Sequence, residues 1–542
     1  MPHKVPCFQW RFRQTSKHLF PLSIMRILFV LLLLTPSLAF AQHSQLIPDS
    51  ATAVFSISDY ETWRAQIPET SIGRFFRDGH VKAIRTSLTE AARRRPGIQS
   101  FLDAKIIRKY CCNQCTVSLL PVGNRMEVCV LISCENRDFA QQCRQDLDKM
   151  FGAQVSSKQL DADVVFSSSP AAVARFGVQG KMISNTRGFR QSVQRALQDL
   201  PDATFWAFYD PVAVGRFRSQ NRQPNGSKVN AFEVLQKEGL GAVSGIGVCG
   251  TLKSNAQPTR LRGYIGADFP FEKGMRLLDL SNQAELRLAH VFGGTNSRGK
   301  FCIDWNNALR NFSTVFDQVV GDGEQGIFRV VIDELKNAED GPKLDMQKDF
   351  LALLTGPLMF GEISLGGRQH FVTAVKTTSM ANMLETVTRF YTDDPSVKKI
   401  ERANFAAWAV SPMTATGPSK RSYVVAVHKD HFWLAANYEA IEAVLSNRSA
   451  GDNPNLAARN ACLFYELDFR KMANLRFNEL GNGAPGGFLG SIFAAADLNQ
   501  SVSGVDKTSW PTADVINNHF GSKLKIIGRK VDGGFQLDGE IR

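Results

Sequence analysis

Six short blocks of this chain recur in its second half in the same order, and this ordered recurrence constrains the fold more than any bulk property. One chance match is common; six in sequence are not. Residues 129–143 read as an apolar strand, a polar turn and an amphipathic helix, and residues 373–387 read the same way. Just upstream, the short strands 116–120 and 361–365 run into turns at Pro121-Val122-Gly123-Asn124 and Gly366-Gly367. Each predicts a hairpin with the strand that follows. Further on, 165–173 matches 433–441, 205–210 pairs with 463–468, 243–246 meets 502–505, and the strand 260–268 corresponds to 534–541. The two halves also open alike, with 54–57 before a helix around Trp63 and 300–303 before one around Leu309. Hairpin-compatible turns favour antiparallel pairing over crossover connections. The expected fold is α+β, as two tandem repeated lobes, 42–270 and 283–542, with a boundary between Asp268 and Glu285. Each lobe is expected to be a largely antiparallel sheet with helices packed on one face.

The N-terminus carries an address. Arg26 precedes the apolar run 27–34, then come Thr35-Pro36-Ser37 and Ala39-Phe40-Ala41 before Gln42. A basic region, a short apolar core and a small-x-small site in that order predict a signal peptide over 1–41, cleaved between Ala41 and Gln42. Met25 is the better start, because residues 1–24 are polar and basic. The apolar run is short for a membrane span, and no span is expected in the mature chain. No cysteine stands at the cleavage point, which argues against a lipoprotein. The net charge of +13 includes five cations from 1–41 (Lys4, Arg11, Arg13, Lys17 and Arg26), which leaves +8 for the rest. That excess is spread along the chain and forms no stripe, so no nucleic-acid partner is expected. The length of 542 residues, with 44% hydrophobic and 21% charged, is that of a globular chain of more than one domain.

Nine cysteines follow the leader, and six of them crowd together as Cys111, Cys112, Cys115, Cys129, Cys134 and Cys143. Four thiolates would suit tetrahedral zinc, and Cys112-x-x-Cys115 has redox spacing. Outside the cytoplasm such clustering reads as a disulfide framework. The expectation is at least one disulfide within 111–143, its connectivity open, and no bound metal or other cofactor. Cys129, Cys134 and Cys143 align with Thr373, Thr378 and Val387 in the repeat, so the module folds without them. His428 and His431 flank the turn Lys429-Asp430 and lack the helical spacing of a zincin motif. Asp210 and Asp468 recur at the ends of aromatic strands, where an aspartate caps a following helix more often than it joins a carboxylate pair. Arg93-Arg94-Arg95 closes a helix before Pro96, as cations do at a C-terminal dipole. The glycine-rich apolar stretch 481–496 reads as a buried connector, with a lid or partner-touching loop as its functional reading. No nucleophile elbow, Walker loop or dinucleotide fingerprint is present in the sequence.

Leu46-Ile47-Pro48-Asp49-Ser50-Ala51-Thr52-Ala53-Val54-Phe55 after a leader resembles the opening of a family of uncharacterised secreted bacterial proteins. Leu353-Leu354-Thr355-Gly356, the strand–helix pattern at 434–445, Trp510-Pro511-Thr512-Ala513 and Asp532-Gly533-Gly534 resemble it too. That family has no established activity, so the resemblance implies tandem α+β modules and no catalytic residues. The expected role is an exported, more likely non-enzymatic, binding or scaffolding protein of the cell envelope or beyond, of unknown ligand and oligomeric state. The alternatives are a hydrolase assembled from dispersed residues (Asp210, Asp468 and His431) and a carrier of an apolar ligand between sheet and helices.

Overall fold

A computed structural model describes residues 42–541 except for all or most of 83–103, 221–230, 252–258, 288–293, 320–323, 447–456, 469–512 and 520–522, and a few positions within 340–421. The leader 1–41, the arginines 93–95, the apolar stretch 481–496, the block 502–505 and Trp510-Pro511-Thr512 lie outside the described residues. Among the described residues no helix is long and apolar enough to cross a membrane.

The chain is α+β, with a large antiparallel sheet and helices. The first half supplies β1 Ala53–Ile57, β2 Cys115–Val122, β3 Arg125–Ser133, β4 Ser156–Leu160, β5 Asp163–Ser167, β6 Phe205–Tyr209, β7 Val243–Thr251 and β8 Thr259–Ala267. In space they run β4-β5-β3-β2-β1-β6-β7-β8. The second half supplies β9 Gln283–Arg287, β10 Ser297–Phe301, β11 Leu354–Leu365, β12 Arg368–Thr377, β13 Val397–Arg402 and β14 Phe405–Val410. After β15 Met413–Thr414 and β16 Gly417–Pro418 come β17 Tyr423–His428, β18 His431–Ala435, β19 Ala457–Ala461, β20 Leu463–Asp468, β21 Lys523–Val531 and β22 Gly534–Ile541. Their spatial order is β13-β14-β17-β18-β12-β11-β10-β20-β21-β22. Two small ladders, β9 with β19 and β15 with β16, stand apart.

One pairing joins the halves. β22 lies antiparallel to β8, from Gly534 opposite Gly266 to Ile541 opposite Thr259, so the sheet is continuous over 18 strands. Arg262 on β8 reaches Asp538, its direct cross-strand neighbour on β22, at 2.5 Å. The strands 260–268 and 534–541, matched in sequence as equivalents, are thus hydrogen-bonded neighbours.

Local chemistry explains the elements. The β2–β3 and β11–β12 hairpins turn through Gly123 (φ +58°) and Gly366 (φ +55°), where a left-handed residue matches the strand twist. The helix Arg137–Phe151 starts at Asn136, whose side chain accepts from the backbone N–H groups of Asp138 and Phe139. It buries Ala140, Cys143 and Leu147, a single stripe at helical spacing. The helix Met380–Tyr391 is capped by Ser379 and buries Met383, Thr386 and Val387.

Helices cover both faces of the sheet, which corrects the expectation of a single covered face. Val130 and Ile132 of β3 pack with Ala140, Cys143 and Leu147, whereas their neighbours Cys129 and Leu131 pack with Ala172, Phe189 and Val193. Strands alternate their side chains between faces, so β3 needs an apolar layer on each side. The second half does the same: Val375 packs with Met383 and Val387, while Val372 and Ala374 pack with Ile441 and Val444. β5 and β6 are buried at every position. Uninterrupted apolar strands of this kind require cover on both faces.

Candidate functional site

Three features of the described residues have chemical content, and each sits where a helix or terminal segment meets the sheet. The first is the thiol cluster. Cys111 follows the helix Ala104–Tyr110 and Cys115 opens β2. Cys134 follows β3, and Cys143 lies on the helix Arg137–Phe151. All four belong to one apolar cluster with Tyr60, Ile106, Ile107 and Leu147. The Cys111 thiol donates to the Gln114 carbonyl oxygen at 3.5 Å. Burial pushes the Cys111 thiol well up, and the neighbouring Cys134 thiol together with burial does the same to Cys143. Cys129 points to the opposite face, where burial raises it to about 12. Cys112 is half-buried, and its sulfur lies 3.5 Å from the carbonyl oxygen of Ser133. All nine described cysteines are separate thiols. Among the described residues no three His, Cys, Asp or Glu side chains are grouped as a metal site would require.

The second feature is a buried polar network that sequence reading missed. His43, in the turn Gln42–Gln45, is fully buried. Its Nδ1 lies 2.7 Å from Thr116 Oγ1, and its Nε2 lies 2.8 Å from Ser133 Oγ and 3.4 Å from Asp163 Oδ1. Ser133 in turn donates to Asp163 at 2.7 Å, and Ser56 links Thr116 to Gln114. Serine, histidine and aspartate meet here, but not as a nucleophilic triad. The serine and the aspartate share one ring nitrogen, and Thr116 is buried with the histidine. Burial holds His43 below its ordinary value against the opposing pull of Asp163, so the ring is neutral. The network ties the N-terminal segment to β2, β3 and β5.

The third feature is an apolar cavity of about 140 Å³ on one face of the second half. Its floor is Val425 of β17 and Phe432 of β18. Its walls are Thr386, Val387, Phe390 and Tyr391 of the helix Met380–Tyr391, with Met346 and Phe350 from the turn Met346–Phe350. Thr386 on this lining donates its hydroxyl to the Asp349 carbonyl oxygen at 2.8 Å. Burial pushes the Tyr391 hydroxyl well above its ordinary value. Phe350 meets Phe432 edge-on at 5.2 Å, which fixes one wall. Phe390 is 38% exposed and marks the rim. Its volume is close to the roughly 150 Å³ of an apolar cavity that holds a benzene-sized group. Among the described residues no charged side chain lines it.

The residues considered for hydrolysis are not brought together. Asp210 ends β6 and Asp468 ends β20, with β7, β8, β22 and β21 between those strands. Each acts as a cap: Asp210 accepts from the Ala213 N–H at 2.8 Å and Asp468 from the Lys471 N–H at 3.2 Å. His431 opens β18, opposite His428 across the turn, and pairs with Asp430 at 2.7 Å. The cavity left no signature in the sequence, where Val387 read as the end of an amphipathic helix. No family model, no curated protein and no solved structure matches the chain.

Proposed function

We propose that this chain is an exported binding protein, built from two diverged copies of one α+β module, that holds an apolar group in the cavity of its second half. The cavity carries the binding reading: it is lined mainly by carbon, its Thr386 hydroxyl is already paired, and its rim meets solvent at Phe390. Burying a benzene-sized group there gains roughly 25 cal/mol for each Å² of apolar surface withdrawn from water. The occupant is a small aromatic or branched-alkyl group, free or at the end of a larger molecule.

The duplication is supported by the strand orders. From β4 to β8 the first half runs β4-β5-β3-β2-β1-β6-β7-β8, and β17-β18-β12-β11-β10-β20-β21-β22 repeats it element for element. Asp210 N–H donates to Thr52 O at 2.8 Å and Asp468 N–H to Asn296 O at 2.9 Å, the same bond at the same place. Under this reading β13 and β14 are additions to the second copy. The helix facing the cavity, Met380–Tyr391, is the counterpart of Arg137–Phe151, whose buried stripe includes Cys143 and Leu147. Export rests on the leader pattern ending at Ala41.

The test is extraction of the purified mature chain into organic solvent, followed by untargeted mass spectrometry, beside the same extraction of Val387→Phe. The larger ring projects into existing free volume, so the variant is expected to be as stable as the parent or about 1 kcal/mol more stable. It is also expected to lose the bound species. Equal recovery of the same compound from both proteins, or no apolar compound from either, contradicts the binding site.

A further inference from the structure

Four of the eight residues that line the cavity of the second half are aromatic: Phe350, Phe390, Tyr391 and Phe432. Phe350 stands at 85° to Phe432, and Phe390 at 87° to Tyr391, with centroids 5.2 Å and 4.9 Å apart. Each pair therefore forms a corner and not a flat stack. No lysine or arginine lines the space. Arg389, next to Phe390 in the chain, donates to the Pro342 carbonyl oxygen at 3.3 Å. The helical wall is the end of Met380–Tyr391, where the carbonyl pole of the helix favours positive charge. Asp349 abuts the same wall, since its backbone carbonyl holds the Thr386 hydroxyl. Its carboxylate accepts from the Asp345 N–H at 2.9 Å, while Lys336 pairs with Asp345 instead. We infer that the cavity holds a trimethylammonium group, of the kind that ends choline and its esters.

This assignment deepens the binding reading of the cavity and rests on it. A positive charge spread over methyl groups is attracted by aromatic rings, and more strongly where water is excluded. Its outer atoms are carbon, so it covers apolar wall as a hydrocarbon of the same shape would. A primary ammonium or a guanidinium fits less well. Either brings N–H donors that need acceptors, and the only side-chain oxygens on the lining are those of Thr386 and Tyr391. A quaternary nitrogen has no N–H to satisfy. A neutral ring would gain from the same walls, but nothing from the helix end or from Asp349. The mouth at Phe390 lets the rest of a larger molecule stay in water. Free choline and a phosphocholine lipid present the same group, and both suit this chemistry.

The test compares choline with its neutral isostere, the alcohol in which carbon replaces the quaternary nitrogen. Each is titrated into the full mature chain and read by carbon-13 methyl shifts at Val387 and Val425. Choline is expected to saturate one site, with the isostere about tenfold weaker. Phe432→Leu keeps an apolar wall and removes one ring. Asp349→Asn keeps an acceptor for the Asp345 N–H and removes the charge. Each variant is expected to weaken choline by about threefold or more and to leave the isostere unchanged. An isostere that binds as tightly as choline overturns the inference and leaves the apolar cavity standing, as do variants that weaken both ligands alike. Silence from both ligands takes the binding reading with it. Vesicles separate the two sources. Co-sedimentation with phosphatidylcholine and not with phosphatidylglycerol assigns a lipid headgroup, and choline saturation without co-sedimentation assigns a soluble ligand.

Discussion

Gly534→Ala is expected to unfold the join between the halves and to lower stability by at least about 3 kcal/mol. Gly534 has φ +145°, a conformation that side-chain-bearing residues rarely adopt, and it pairs with Gly266 where β22 begins to run along β8. A Cβ built there would stand 1.8 Å from the carbonyl oxygen of Ile265. That oxygen belongs to the backbone of the neighbouring strand, so relief requires moving β22 away from β8. The move disturbs the ladder and the Arg262–Asp538 contact beside it. Gly533 provides the control, since its φ of +73° is near the left-handed region that asparagine tolerates and a Cβ there meets nothing closer than 3.8 Å. Gly533→Asn is expected to cost less than about 1 kcal/mol. Denaturant melts give the energies, and amide exchange at β8 and β22 locates them. Equal melts for parent and Gly534→Ala would mean that the β8–β22 pairing contributes little.

His43→Ala is expected to cost about 3 kcal/mol, from the cavity and from the polar groups that lose a partner. Thr116 retains Ser56 and Ser133 retains Asp163, which keeps the loss from being larger. The pH dependence is the sharper signature. Burial depresses His43 below its ordinary 6.5, so the folded chain leaves the ring neutral where the unfolded chain protonates it. Its contribution is therefore fully present above pH 6.5 and is lost as pH falls toward the lower folded value. His43→Gln keeps hydrogen-bonding capacity and cannot titrate. The difference in stability between parent and His43→Gln is expected to be largest at pH 8 and to shrink by pH 5, measured by urea melts at each pH. A constant difference across that range would mean that the ring titrates alike in both states.

The sequence made the hairpins, helix faces and caps legible, because those depend on neighbours in the chain. The glycines at 123 and 366 marked their turns, and Asp210 and Asp468 serve as the caps they were expected to be. Register was harder. Under the proposed duplication, Cys129 facing Ser167 corresponds to Val372 facing Ala435, one position before the Thr373 chosen by residue matching. A single-residue slip moves a side chain to the other face, and matching apolar letters cannot detect it. The strand beside β20, as β7 is beside β6, is Lys523–Val531, and the block 502–505 lies outside the described residues. The His43 network escaped notice because Asp163 is 120 positions away and each member is unremarkable alone. The cavity escaped because it depends on how imperfectly Phe350, Tyr391 and Phe432 fill the space between helix and strands.

A titration of the folded chain with toluene, read by carbon-13 methyl shifts at Val387 and Val425, tests the binding reading most directly. Both methyl pairs are buried on the cavity wall and report any occupant. The cavity predicts saturable shifts at these two valines with one site per chain and a dissociation constant of about 1 mM or tighter. It also predicts that Val387→Phe abolishes the Val425 response. Shifts that stay linear to the solubility limit, or a Val425 response unchanged in Val387→Phe, would contradict it.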